Sequence, residues 1–254
     1  MFLNGSTSQL LKTTNLKLGS ALLSTAMLAA CGGGDSSSSF SSPTLNLNTA
    51  ERSYVTGGYS TNAVISGDCQ GTKLQNTSAT YSGTTYAGLP ALIGNETEID
   101  FLVPNSSPFC SAFYNSNGGQ GQVEKIYWDP TTINLMTDGA NPPNYVYSNL
   151  QPFPSAVTAG SQGTASTYIN YYGTSKPVTT GALTWSVVAD TPSTLLWVTV
   201  DEATLIATGK LAYTSTTTYR INANNTLTAL FKVIELYSGF TGGAGNFTIN
   251  ETYQ

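Results

Sequence analysis

The sequence predicts an all-β protein: antiparallel meanders forming a sandwich-like or curved, barrel-like sheet behind a flexible N-terminal segment. Three observations carry this. Apolar residues alternate with polar ones over long stretches, as at residues 96–103 (ETEIDFLV) and 211–221 (LAYTSTTTYRI). Period two with β-branched and aromatic enrichment marks half-buried strands. No window of a dozen residues after Cys31 carries an apolar stripe at helical spacing. Charged residues make up only 9% of the chain, and Ser, Thr, Asn, Gly and Tyr take their place. At 254 residues and 40% hydrophobic content, the chain can bury a sizeable core.

Residues 1–30 read as an export signal. Lys12 and Lys17 form a positive start, and the apolar stretch 18–30 is shorter than the roughly twenty residues that span a bilayer. It ends in Leu28-Ala29-Ala30-Cys31, which resembles the lipobox of Gram-negative bacterial lipoproteins. The resemblance implies cleavage before Cys31, a diacylglyceryl group on its thiol and an acyl chain such as palmitate on the new amine. Each buried methylene contributes roughly 0.8 kcal/mol, and anchors with more than one chain hold stably. Residues 31–44 then form the lipidated cysteine and a Gly/Ser-rich tether with no structure of its own. Gly32, rather than an Asp, follows the cysteine, which by the same resemblance implies the outer membrane, at its periplasmic face or the cell surface. Removing Lys12 and Lys17 leaves seven of nine basic residues against fourteen acidic ones.

Residues 45–254 are expected to form the β-rich body, with two halves at 45–147 and 164–254 that the reading favours as one body. In the first half, Thr97, Ile99, Phe101 and Val103 share one strand face and Glu96, Glu98 and Asp100 the other. This half reads as less regular, with Gly-, Asn- and Pro-rich loops around 82–95, 104–108, 115–122 and 138–144. Residues 148–163 read as a connector. The second half parses into strands near 164–173, 181–190, 194–206, 211–221, 226–237 and 246–253, separated by short turn signals. Connections this short join antiparallel neighbours. Without helices to cover it, such a sheet must close or pair with another.

The chemistry of the sequence is largely one of exclusions. The chain has no histidine, which removes Ser-His-Asp and Cys-His nucleophile systems and His-ligated zinc. Lys and Arg are few and scattered, which argues against a nucleic-acid face. No cofactor or metal motif is found. With Cys31 acylated, Cys69 and Cys110 remain, and outside the cytoplasm two thiols in one domain usually pair. Asp129, Asp138, Asp190, Asp201 and Glu202 are candidates for a carboxylate pair, but each sits beside a turn signal that explains it. Among fifteen tyrosines and three tryptophans, Tyr127, Trp128, Tyr145 and Tyr147 lie near loops, and Tyr171 and Tyr172 take opposite faces of their strand, so one is expected to be exposed. Tyr127, Trp128, Tyr145, Tyr147 and Tyr171 are candidates for stacking on a sugar. Trp185 and Trp197 read as core.

The expectation is therefore a non-catalytic lipoprotein held at the outer membrane by its N-terminal acyl chains. Its role would be structural or in binding another envelope protein. The alternatives are a carbohydrate-binding surface or a carboxylate-dependent glycan-cleaving enzyme.

Overall fold

The structure, a computed structural model, describes residues 41–103, 107–116, 120–137, 145–171 and 176–254. Its first elements are helix α1 (Leu47–Gly57) and strands β1 (Tyr59–Gly67), β2 (Gly71–Tyr86) and β3 (Leu89–Leu102). Helix α2 (Pro108–Ser116), β4 (Gln120–Trp128), β5 (Leu135–Thr137) and β6 (Tyr145–Ser148) follow. The meander continues through β7 (Gln162–Asn170), β8 (Thr179–Ala189) and β9 (Leu195–Leu205). It ends with β10 (Leu211–Ile221), β11 (Leu227–Leu236) and β12 (Phe247–Tyr253). Each strand pairs antiparallel with its sequence neighbours, and β1 closes the ring against β12. The sheet is thus a closed barrel, a ring with no first or last strand.

The second half follows the predicted strands closely, and β10 coincides with its predicted range. The first half does not. The expected loop at 82–95 is a long hairpin of β2 and β3, turned by Ala87 and Gly88 at φ 50° and 82°. Two central residues with positive φ match the right-handed twist of paired strands, which is why so short a turn suffices. Gly94 reads as a loop residue but sits in β3 for packing: a Cβ there would lie 2.5 Å from the Trp128 ring.

Both helices depart from the expectation of alternation alone, and barrel size supplies the reason. Eight strands leave an interior that side chains just fill, and twelve leave more. Helix α1 fills one end, where β1, β7, β9 and β11 begin. Leu47 and Ala50 pack with Phe153, Val157, Trp185, Val187, Leu195, Trp197 and Ile221. Trp185 and Trp197 are core residues, as expected. The connector crosses this same end, where Val157 bridges to Leu45. The helix is only eleven residues long, so its stripe is too short to stand out in sequence. Its start is marked by Asn46, whose Oδ1 accepts from the Thr49 amide at 2.9 Å while its own amide donates to Asn225 Oδ1. Asn46→Ala removes the cap and is expected to cost about 1 kcal/mol. A denaturant midpoint unchanged within error would show that tertiary packing alone sets this helix.

The strand faces are the larger surprise. In residues 96–103 the two faces separate as predicted, but the carboxylates point inward and the apolar face points out. Phe101 is 61% exposed and Glu98 8%. In β10, Tyr213 and Ile221 are buried inside, while Thr214 and Thr216 face outward with Thr180 and Thr184 of β8. The interior therefore holds polar groups that an ordinary core excludes.

Candidate functional site

The register brings a charged belt together inside the barrel, beneath α2. Lys73 on β2 stands opposite Asp100 on β3, and Lys232 on β11 opposite Glu251 on β12. Lys73 Nζ lies 2.7 Å from Glu98 Oε2 and 3.4 Å from Glu251 Oε1. Glu251 also accepts from the Tyr114 hydroxyl of α2 at 3.4 Å and from Tyr253 at 3.2 Å. Burial alone would pull the Lys73 ammonium down, but Glu251 and Glu98 outweigh it and hold it above its ordinary value. Burial likewise works against the Glu251 carboxylate, yet Lys232 and Lys73 win and keep it below the usual range. Asp100 goes the other way. Burial, then Glu98, push it up to about 7 against the pull of Lys73.

Two further polar groups line the interior. Asp201 accepts from Tyr168, which shares a 2.7 Å hydrogen bond with the Tyr213 hydroxyl. Burial pushes Asp201 up to about 6, although both Tyr168 and Lys232 favour its charge. Toward α1, Glu96 Oε2 accepts from Thr77 at 3.1 Å and Tyr59 at 3.4 Å. Tyr59 stacks on Tyr54 at 4.4 Å, and Tyr54 meets Tyr219 edge-on at 5.8 Å. Burial pushes Glu51 of α1 up to about 8.

The covalent tie is the predicted one. Cys69, in the turn between β1 and β2, is bonded to Cys110 on α2 with Cα atoms 5.6 Å apart. Phe109 stacks on Phe247 at 3.9 Å beside it. The disulfide and these rings hold α2 over the belt.

The stacking candidates do not gather into one platform. Trp128 is 6% exposed and packs with Val55 and Ile133 in the core. Tyr127 leans on Tyr86 at 5.1 Å. Tyr145 and Tyr147 are half-buried, stacked on one another, and both meet Tyr168 within the barrel. Tyr171, half-buried, follows the end of β7. Cys31 and Asp138 lie outside the described residues.

No protein-family model, curated protein or solved structure matches this chain.

Two acids keep their turn roles. Asp129 Oδ1 accepts from the Thr131 and Thr132 amides, and Asp190 binds Arg220 Nε at 2.7 Å and the Thr194 hydroxyl at 2.6 Å. Asp201 does not. It sits mid-strand in β9, pointing into the barrel, because the register places it opposite Ser215 rather than at a turn. Glu202, its neighbour, faces out and lines an open trough of about 340 Å³ with Gly181, Ala182, Val200 and three threonines. That lining holds a single carboxylate, whereas the usual glycosidase chemistry uses two. Among the described residues, no group of three or more His, Cys, Asp or Glu side chains is arranged to hold a metal ion. Glu98, Asp100 and Glu251 were legible as strand residues, Lys73 was not, and none was legible as a site, because their assembly depends on which face turns inward.

Proposed function

We propose that this protein is a non-catalytic lipoprotein of the outer membrane, with a structural or protein-binding role in the envelope. The observation that carries this reading is Leu28-Ala29-Ala30-Cys31 after a basic, apolar leader and before a Gly/Ser-rich tether. The residues from 32 to 44 would reach roughly 45 Å if extended, at about 3.5 Å per residue. The barrel supports a binding role over a catalytic one. The belt charges of Lys73, Glu98, Asp100 and Glu251 are turned into an interior capped by α1 and α2, and these acids mostly hold strands and a helix together. At the end away from Leu45, half-buried Phe109, Phe113, Phe240 and Phe247 rim α2 and offer a surface of mixed character to a partner. Aromatic rings of this kind suit protein interfaces. A glycan platform is less well supported, since Tyr145 and Tyr147 face the barrel interior and Trp128 is buried.

The anchor is the part to test first. Cys31→Ser should move the protein from the membrane pellet to the soluble fraction and abolish incorporation of a labelled fatty acid. A Cys31→Ser protein that stays wholly in the pellet and still takes up label would contradict the reading.

A further inference from the structure

The belt beneath α2 contains three carboxylates, Glu98, Asp100 and Glu251, and two lysines, Lys73 and Lys232. Lys73 is already committed. Lys73 Nζ bridges Glu98 and Glu251, and Lys232 stands opposite Glu251. Asp100 faces Lys73 in the register, yet both of its carboxylate oxygens are buried and accept no hydrogen bond. An ionised carboxyl there would be neither solvated nor paired, which is costly. A protonated one needs no counter-charge, and its O–H can donate to the Glu98 carboxylate beside it.

From this geometry we infer that Asp100 is a proton-binding site that latches α2: the closed barrel holds a proton on Asp100, and loss of that proton loosens α2 from the belt. The groups that face Asp100 are Lys73 from β2, Glu98 from its own strand, Glu251 from β12 and Tyr114 from α2, with Lys232 and Tyr253 flanking Glu251. When Asp100 ionises, its proton passes to solvent and only the O–H bond breaks. The new charge lies beside Glu98 and draws the Lys73 ammonium toward β3, away from Glu251. Glu251 is the acceptor of the Tyr114 hydroxyl, so the polar contact between α2 and the belt is disturbed. The disulfide keeps the loosened helix tethered. The value of about 7, raised by burial first and Glu98 second, agrees with this arrangement.

The closed form binds the proton more tightly than an ordinary carboxyl, so the latch is complete below about pH 4 and weakens as pH rises through 7. Amide hydrogen exchange of the full chain reads this directly. With intrinsic rates corrected, protection of residues 107–116 should fall at least about tenfold between pH 5.5 and 8.5, since each pH unit between the two pKa values changes closing by up to tenfold. Asp100→Asn keeps the shape and a donor but cannot ionise, so its protection should change less than about twofold. Glu51 and Asp201 still titrate in that variant, which separates their effects from the latch. Equal protection of the wild type at both pH values would overturn the proposal, as would an undiminished fall in Asp100→Asn. A carboxyl-carbon NMR titration of wild-type Asp100 does not depend on the variant folding. A midpoint near 7 supports the site, and one below about 5 rejects it.

Discussion

Replacing Lys73 with Met is expected to destabilise the barrel by about 3–5 kcal/mol, the cost typical of removing one partner from a buried ion pair. The side chain is 7% exposed, and the Glu251 carboxylate that it bridges is completely buried. Methionine fills much of the same volume, so the loss is electrostatic rather than a cavity effect. Glu98 and Glu251 would be left in low dielectric, with only Lys232 among the belt's cations. The remaining acids would then take up protons on folding. Their folded pKa values would rise above the unfolded ones, so the loss should be smaller near pH 5 and grow as pH increases through neutrality. Adding Glu251→Gln to Lys73→Met should recover part of the stability, because the amide carries no charge and can still accept from Tyr114. Urea unfolding at two pH values measures all of this. A loss under about 1 kcal/mol at pH 8 would mean that the belt is solvated and its ion pairs are worth little, as surface pairs are.

Removing the Cys69–Cys110 bridge should cost about 4 kcal/mol by the chain-entropy relation, for residues separated by 41 positions. For a body of this size, that corresponds to a fall in melting temperature of roughly 8–16 °C. The double Cys69→Ala, Cys110→Ala variant should nevertheless retain its β-type circular dichroism. The ladder from β1 to β3 is held by backbone pairing on both sides of the turn that carries Cys69, and the bridge adds α2 to it rather than a strand. Both sulfur-bearing residues are almost completely buried, so a thiol reductant should act slowly on the native fold and quickly once urea opens it. Native protein that reacts with a maleimide at both cysteines before any reductant is added would show that the bridge is absent in solution. Loss of the β-signal in the double variant would show that α2 docking is needed for barrel closure.

Much of this protein is written locally. Alternation, β-branched residues and turn chemistry located β7 to β12, because each strand and turn depends mainly on neighbours within a dozen residues. The absence of histidine excluded whole classes of chemistry without any coordinates. The pairing of Cys69 with Cys110 was expected from having two thiols in one body read as exported, and the geometry shows the bond. Three decisions belonged to the tertiary structure. Alternation at 96–103 separates Glu98 and Asp100 from Phe101, but the two faces are interchangeable until the barrel closes, and closure put the carboxylates inside. Helix α1 owes its place to the room inside a ring of twelve strands, since Leu47 and Ala50 make a weak stripe until Phe153, Trp185 and Trp197 surround it. The belt joins Lys73, Glu98 and Glu251 across up to 178 positions of chain, and no local pattern records that distance. Only the seam of β1 against β12 brings Glu251 to Lys73, because pairing the first strand with the last is a global event.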